Sequence, residues 1–137
     1  MGTLFVLDDD QLFHRLIELS LSKSKPFNKV YHHYDAKELV RYLWEHRNDK
    51  ANLPDIIFVD IKMPGFDGWE FLNALQNIFP TLSKKITIYV ISVSVIKTDK
   101  TRAENYSIVE EFICKPISVD KLKAIALKKK TEIEAQY

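Results

Sequence analysis

The sequence predicts an alternating α/β domain built on a parallel central sheet. Three observations predict it. Short apolar runs, each followed by a stretch with helical spacing, recur five times within 137 residues, and strict alternation gives a parallel sheet with helices on both faces. Several of the runs are continuous rather than alternating, as in strands buried on both sides. Acidic, hydroxyl and basic residues stand at the ends of four runs, where an open α/β sheet collects its chemistry.

Leu4-Phe5-Val6-Leu7 is the first run, too short for a helix. Asp8-Asp9-Asp10 follow, with Asp10 expected to cap a helix carrying Phe13, Leu16, Ile17 and Leu21. Pro26 closes that unit, and Val30–Tyr34 is a weaker strand. Asp35 caps a second helix with Ala36, Leu39, Val40 and Leu43 on one face. Strand three is Ile56–Asp60, and a third helix is expected from Gly68 to Phe79, with Phe71, Leu72, Leu75 and Ile78 inward and Pro80 stopping it. Strand four is Ile86–Ile91, running into Ser92-Val93-Ser94. Residues 97–107 are almost entirely polar, so a helix there has a thin apolar stripe and weak anchoring. Phe112-Ile113-Cys114 is strand five, followed by Lys115-Pro116. The last helix starts near Ser118 and turns Leu122, Ile125, Ala126 and Ile133 inward. Right-handed crossovers follow from the βα order. Residues 1–137 read as one domain with a core over about 3–130.

Composition narrows the classes. The chain is 46% hydrophobic and 28% charged with a formal net charge of +1, so no global field points to nucleic acid or a membrane surface. One cysteine, Cys114, excludes an intrachain disulfide and fits a reducing compartment. The start of the chain lacks a basic, long apolar leader, and no run reaches the ~20 residues of a membrane span. A cytoplasmic protein is expected.

The most informative segment is Phe58-Val59-Asp60-Ile61-Lys62-Met63-Pro64-Gly65-Phe66-Asp67-Gly68. A buried strand ends in a carboxylate and passes into a Pro-Gly turn, which is how a sheet hands a reactive group to a loop. In a doubly wound sheet Asp8, Asp9 and Asp60 converge at the switch point between strands one and three. Two carboxylates at ~4 Å repel by roughly 4 kcal/mol at an effective dielectric of 20, so three need a cation. Hard oxygen ligands suit Mg²⁺. Such a pocket suits a dianionic phosphoryl group, held by Lys115 and Ser92 and received by Asp60 as nucleophile.

With these motifs in register, the chain resembles a response-regulator receiver domain, the phosphoacceptor half of bacterial two-component systems. The resemblance rests on an acid pair after strand one, Asp-x-x-Met-Pro-x-x-Asp-Gly after strand three, a hydroxyl after strand four and Lys-Pro after strand five. It implies a flavodoxin-like sheet in strand order 2-1-3-4-5. It implies Asp60 as phosphoacceptor, and Asp9, Asp60 and the Lys62 backbone carbonyl as Mg²⁺ ligands, with Asp8 acting largely through water. Ser92 matches the switch hydroxyl, Phe112 the switch aromatic that turns inward, and Lys115 the phosphoryl-binding lysine. Pro116 is expected to follow a cis peptide bond. Lys62 and Ser94 occupy the variable positions that tune phosphoryl lifetime. Val93 departs from the usual small residue and is expected to narrow access to Asp60 or restrict Phe112. Tyr106-Ser107-Ile108-Val109 replaces the usual small-residue pattern before strand five.

Plainer roles are expected elsewhere. Asp67 reads as a turn and cap residue. His32 and His33 are neighbours on a strand and point to opposite faces. His14 reads as a packing or surface residue on an amphipathic helix. Cys114 reads as an inert buried thiol. Lys128-Lys129-Lys130 reads as a solvated helix face, and Trp44 and Trp69 as helix-surface packing.

The implied function is a phosphorylation switch. A sensor histidine kinase or phosphotransfer protein transfers phosphoryl to Asp60 with Mg²⁺, and the α4-β5-α5 face then controls a protein target not named by the sequence. A phosphorelay shuttle fits the same residues. A haloacid-dehalogenase-like phosphatase would need a second acid two residues after the nucleophile, where Lys62 stands. The resemblance implies self-catalysed phosphorylation and dephosphorylation rather than enzyme turnover, and no direct contact with nucleic acid or membrane.

Overall fold

The computed structural model describes residues 2–93 and 96–136. The elements alternate as β1 (Thr3–Leu7), α1 (Gln11–Leu21), β2 (Lys29–His33), α2 (Ala36–Glu45), β3 (Ile56–Val59), α3 (Gly68–Ile78), β4 (Thr87–Ser92), α4 (Lys97–Glu104), β5 (Val109–Cys114) and α5 (Val119–Glu134). All neighbouring strands pair in parallel, in the order β2-β1-β3-β4-β5. The doubly wound arrangement and its strand order are those expected from the sequence.

Strand side chains alternate between two cores, as a period of two requires. Phe5, Leu7, Ile57, Val59, Ile88 and Val90 join Leu39, Leu43, Phe71 and Leu72 under α2 and α3. Leu4, Val6, Ile56, Phe58, Tyr89 and Ile91 join Phe13, Ile17, Leu122 and Ile125 under α1 and α5. Both faces of β1, β3 and β4 are therefore dry, which explains their unbroken apolar runs.

The caps follow the sequence. The Asp10 carboxylate accepts the Leu12 N–H at 2.9 Å, and Asp35 accepts the Lys37 and Glu38 N–H groups. Asp67 and Glu70 form a reciprocal capping box at the start of α3. By contrast, α4 begins after Ile96 with no side-chain cap and buries only Ala103.

Four readings of the sequence need correction. Strand β5 starts at Val109, not Phe112. It is the sheet's edge, paired only with β4, so Glu110 and Glu111 face solvent, hide the apolar signal and pair with Lys128 and Lys121. Cys114 is exposed rather than buried, because it ends an edge strand at the rim of the sheet. Lys129 is buried at 5% exposure and donates to Thr87 Oγ1 at 2.9 Å and to the Lys85 carbonyl at 3.3 Å. It is not part of a solvated lysine face. The third helix stops at Ile78, and Phe79–Thr81 with Pro80 forms a 3-10 turn. Among the described residues, no helix is long and apolar enough to cross a membrane.

Candidate functional site at the carboxyl edge of the sheet

The order β2-β1-β3 sends the chain from β1 and from β3 in opposite directions across the sheet, which opens a crevice beyond their carboxyl ends. Asp8 and Asp9 leave β1 into this crevice and Asp60 leaves β3. One carboxylate oxygen from each lies within 4.8 Å of the others. Asp8 is fully buried, Asp60 is 6% exposed, and Asp9 is exposed. The backbone fixes the two buried acids: Asp8 N–H donates to the His33 carbonyl at 3.1 Å and Asp60 N–H to the Leu7 carbonyl at 3.0 Å.

Lys115 reaches the cluster from the end of β5. Its Nζ donates to Asp8 Oδ2 at 2.6 Å and lies 4.2 Å from the Phe13 ring centroid, a cation–π contact. The Lys115 N–H donates to the Ser92 carbonyl at 2.8 Å, tying the ends of β4 and β5 together. The Lys115–Pro116 peptide bond is cis. Asp8 Oδ1 accepts the Asp10 N–H at 2.9 Å.

Burial and the neighbouring Asp8 carboxylate push the Asp60 carboxyl up to about 6, with Asp9 adding to the effect and Lys115 and the Lys62 backbone N–H opposing it. Three carboxylates against one ammonium leave 3 − 1 = 2 negative charges when all are ionised. A divalent cation balances that charge, and an all-oxygen donor set on a solvent-open rim fits a hard ion that keeps waters. The residues present therefore fit Mg²⁺.

The other predicted positions are placed as follows. Ser92 is fully buried at the end of β4, and Phe112 is turned inward with 8% exposure. Val93 points outward, 64% exposed. The Lys62 side chain is half-exposed, its Nζ 3.9 Å from Asp99 Oδ2. Ser94 lies outside the described residues. His14 is not a simple packing residue: its Nε2 lies 2.7 Å from the Asp8 carbonyl oxygen. Gly68 also contributes more than a turn. A Cβ there would sit 2.4 Å from both the Asp60 carbonyl oxygen and the Ile61 Cα, so only glycine lets α3 start against the backbone that carries Asp60. The Asp67-Gly68 pair signalled the cap, but this close approach is a tertiary fact.

Fold and site together define a class: a small doubly wound α/β domain with a cluster of aspartates able to hold a cation at its switch point. Residues 4–127 match the response regulator receiver domain family, and the chain belongs to it. It is 34% identical over 84 residues to the transcriptional regulatory protein GlnL of Bacillus subtilis, covering 61% of this chain and 24% of that protein. It is 26% identical over 81 residues to the DNA-binding transcriptional regulator NtrC of Proteus hauseri, covering 59% of this chain and 15% of that protein. The chain thus spans a quarter or less of the length of these curated relatives. A two component response regulator from Cytophaga hutchinsonii shares the fold, with a TM-score of 0.82 over 94% of this chain and 96% of that one, at 22% identity. The chain is therefore a receiver domain of the two-component response regulator kind.

Proposed function

We propose that Asp60 is the phosphoacceptor of this receiver domain. The convergence of Asp8, Asp9, Asp60 and Lys115 on one crevice carries the reading. A carboxylate oxygen of Asp60 attacks the phosphorus of a phosphohistidine donor. The P–N bond breaks, and the released imidazole nitrogen takes a proton. Asp9, Asp60 and the Lys62 carbonyl would hold Mg²⁺, with Asp8 acting largely through water, and the ion would supply charge neutralisation for the phosphoryl oxygens. Lys115, positioned by Asp8 and Phe13, moves to a phosphoryl oxygen, and the Ser92 hydroxyl donates to another. Positioning and charge stabilisation are most of what this transfer requires.

The donor is a sensor histidine kinase or phosphotransfer protein. A shallow apolar cavity of about 290 Å³ adjoins Lys115, lined by Leu12, Phe13, Leu16, Val93 and Pro116, and supports docking of a partner beside the acceptor. Phosphorylation shifts the α4-β5-α5 face and so controls a protein target. Support for that face is the sparse anchoring of α4 and the Trp69–Tyr106 stack under Arg102 that joins it to α3. Moving such an equilibrium from 1:99 to 99:1 requires about 5.5 kcal/mol of differential stabilisation, which the phosphoryl contacts of Ser92 and Lys115 supply, with Phe112 as the packed aromatic that follows them. Residues 3–130 act as one unit in this switch.

The test is incubation with acetyl phosphate and Mg²⁺ followed by intact-mass analysis. Wild type is expected to gain one phosphoryl group and Asp60→Ala none; equal labelling of the two proteins would refute the assignment. Lys62, Val93 and Ser94 tune the phosphoryl lifetime. Val93→Ala is expected to change the rate of phosphorylation or dephosphorylation, and unchanged rates would remove Val93 from that role.

A further inference from the structure

Next to the acid cluster, and tied to it through the Asp8 carbonyl, two imidazoles face each other across the α1–β2 contact. His14 is 3% exposed and His32 is half-buried. Their Nδ1 atoms lie 2.6 Å apart. The outer nitrogen of each ring is already committed. His14 Nε2 is 2.7 Å from the Asp8 carbonyl oxygen, which only accepts, so this nitrogen carries a proton and donates it. His32 Nε2 is 2.5 Å from Glu18 Oε1 and donates to that carboxylate. With both Nε2 atoms protonated, each neutral ring presents a bare lone pair at Nδ1. Bare, the two lone pairs would repel at that separation, which is hydrogen-bond distance, so the pair holds a cation between them, either a proton in an N–H···N bond or a metal ion.

We propose that His14 and His32 form a second cation site, for a divalent transition metal of the zinc class, ligated by the two facing Nδ1 atoms. Imidazole nitrogen suits such ions and does not suit Mg²⁺. Metal-bound histidines characteristically donate their other N–H to a carboxylate or a backbone carbonyl, which fixes the tautomer and makes the ligating nitrogen more basic. Both ties are present here, one of each kind. Glu18 adds the negative charge that offsets the ion, and Arg15 on the same cleft opposes it. Zinc–nitrogen bonds of about 2.0–2.1 Å widen the pair by under ~1 Å, a change that rotation of His32 at the surface accommodates. The cleft outside the pair, about 550 Å³ and lined also by Gln11 and Tyr34, admits water to the remaining coordination positions. When the ion enters, any proton shared by the two Nδ1 atoms leaves to solvent. The site is separate from the three-carboxylate pocket, and its test does not depend on phosphorylation.

The experiment is a Zn²⁺ titration of the whole chain followed by NMR of the imidazole signals, with Mg²⁺ in excess to occupy the carboxylates. The four histidines are His14, His32, His33 and His46, and His46, at the end of α2, serves as the internal control. The His14 and His32 ring signals are expected to shift together and furthest, with that of His46 unmoved. His32→Gln, a surface change checked for folding by circular dichroism, is expected to lower zinc affinity at least about tenfold, as loss of a metal-site partner does. No shift of the His14 and His32 signals, or zinc affinity undiminished in His32→Gln, overturns the proposal and leaves the pair holding a proton only.

Discussion

Asp60 shows how one residue can be costly to the fold and central to the site. Its folded-state titration lies near 6, above the ordinary 3.8, because burial and Asp8 disfavour its charge. The folded state therefore holds this proton more tightly than the unfolded chain. Stability is highest while Asp60 is protonated, falls as pH rises from about 4 to about 6, and stays reduced above that. A displacement of about two pK units corresponds to roughly 3 kcal/mol at most. Asp60→Asn is accordingly expected to be more stable than wild type at pH 7 without Mg²⁺, by up to about 3 kcal/mol, with the advantage gone near pH 4. Urea unfolding at the two pH values measures this, and an equal or less stable variant at pH 7 would contradict the electrostatic account.

Among the elements, α4 and α3 make the sharpest contrast. The α3 helix buries Phe71, Leu72 and Leu75 and starts with a reciprocal capping box. The α4 helix buries Ala103 alone, has no side-chain cap and carries almost no apolar face. Few buried contacts mean a low free energy of local opening. Amide hydrogen exchange is expected to be fastest in α4 among the helices and slowest in β3 and β4, the strands buried on both faces. Protection of α4 equal to that of α3 would remove the reason for assigning it to the changing surface. The fifth helix is held differently: Lys129 reaches across to Thr87 and the Lys85 carbonyl at the start of β4. Burial lowers its pKa, with Glu132 opposing.

For the whole molecule, ion binding and folding are linked. Two cores clasp the sheet, and the carboxylates meet only when β1 and β3 are paired. An ion bound to the folded state alone stabilises it by about 2.7 kcal/mol at one hundred times its dissociation constant. Saturating Mg²⁺ is expected to raise the wild-type melting temperature by several degrees, and to raise that of Asp9→Asn much less. Thermal unfolding with and without Mg²⁺ decides, and an equal rise in both proteins would place the ion elsewhere.

The strand order followed from the family resemblance; the βα alternation, the caps at Asp10, Asp35 and Asp67, and the residues gathered around Asp60 were legible in the linear chain. Each is announced by a local pattern: an unbroken apolar run, a carboxylate one residue before a helix, a reactive group where a strand stops. What could not be read were pairings across distance on surfaces without such a pattern. The first half of β5 is disguised by glutamates because an edge strand keeps one side wet. Lys129 looks like part of a basic run until Thr87, 42 residues away, is found beside it. His14 looks like helix packing until folding brings it to His32 and the Asp8 carbonyl. Burial periodicity is written along the backbone, whereas a polar side chain's partner is chosen only when distant elements are packed together.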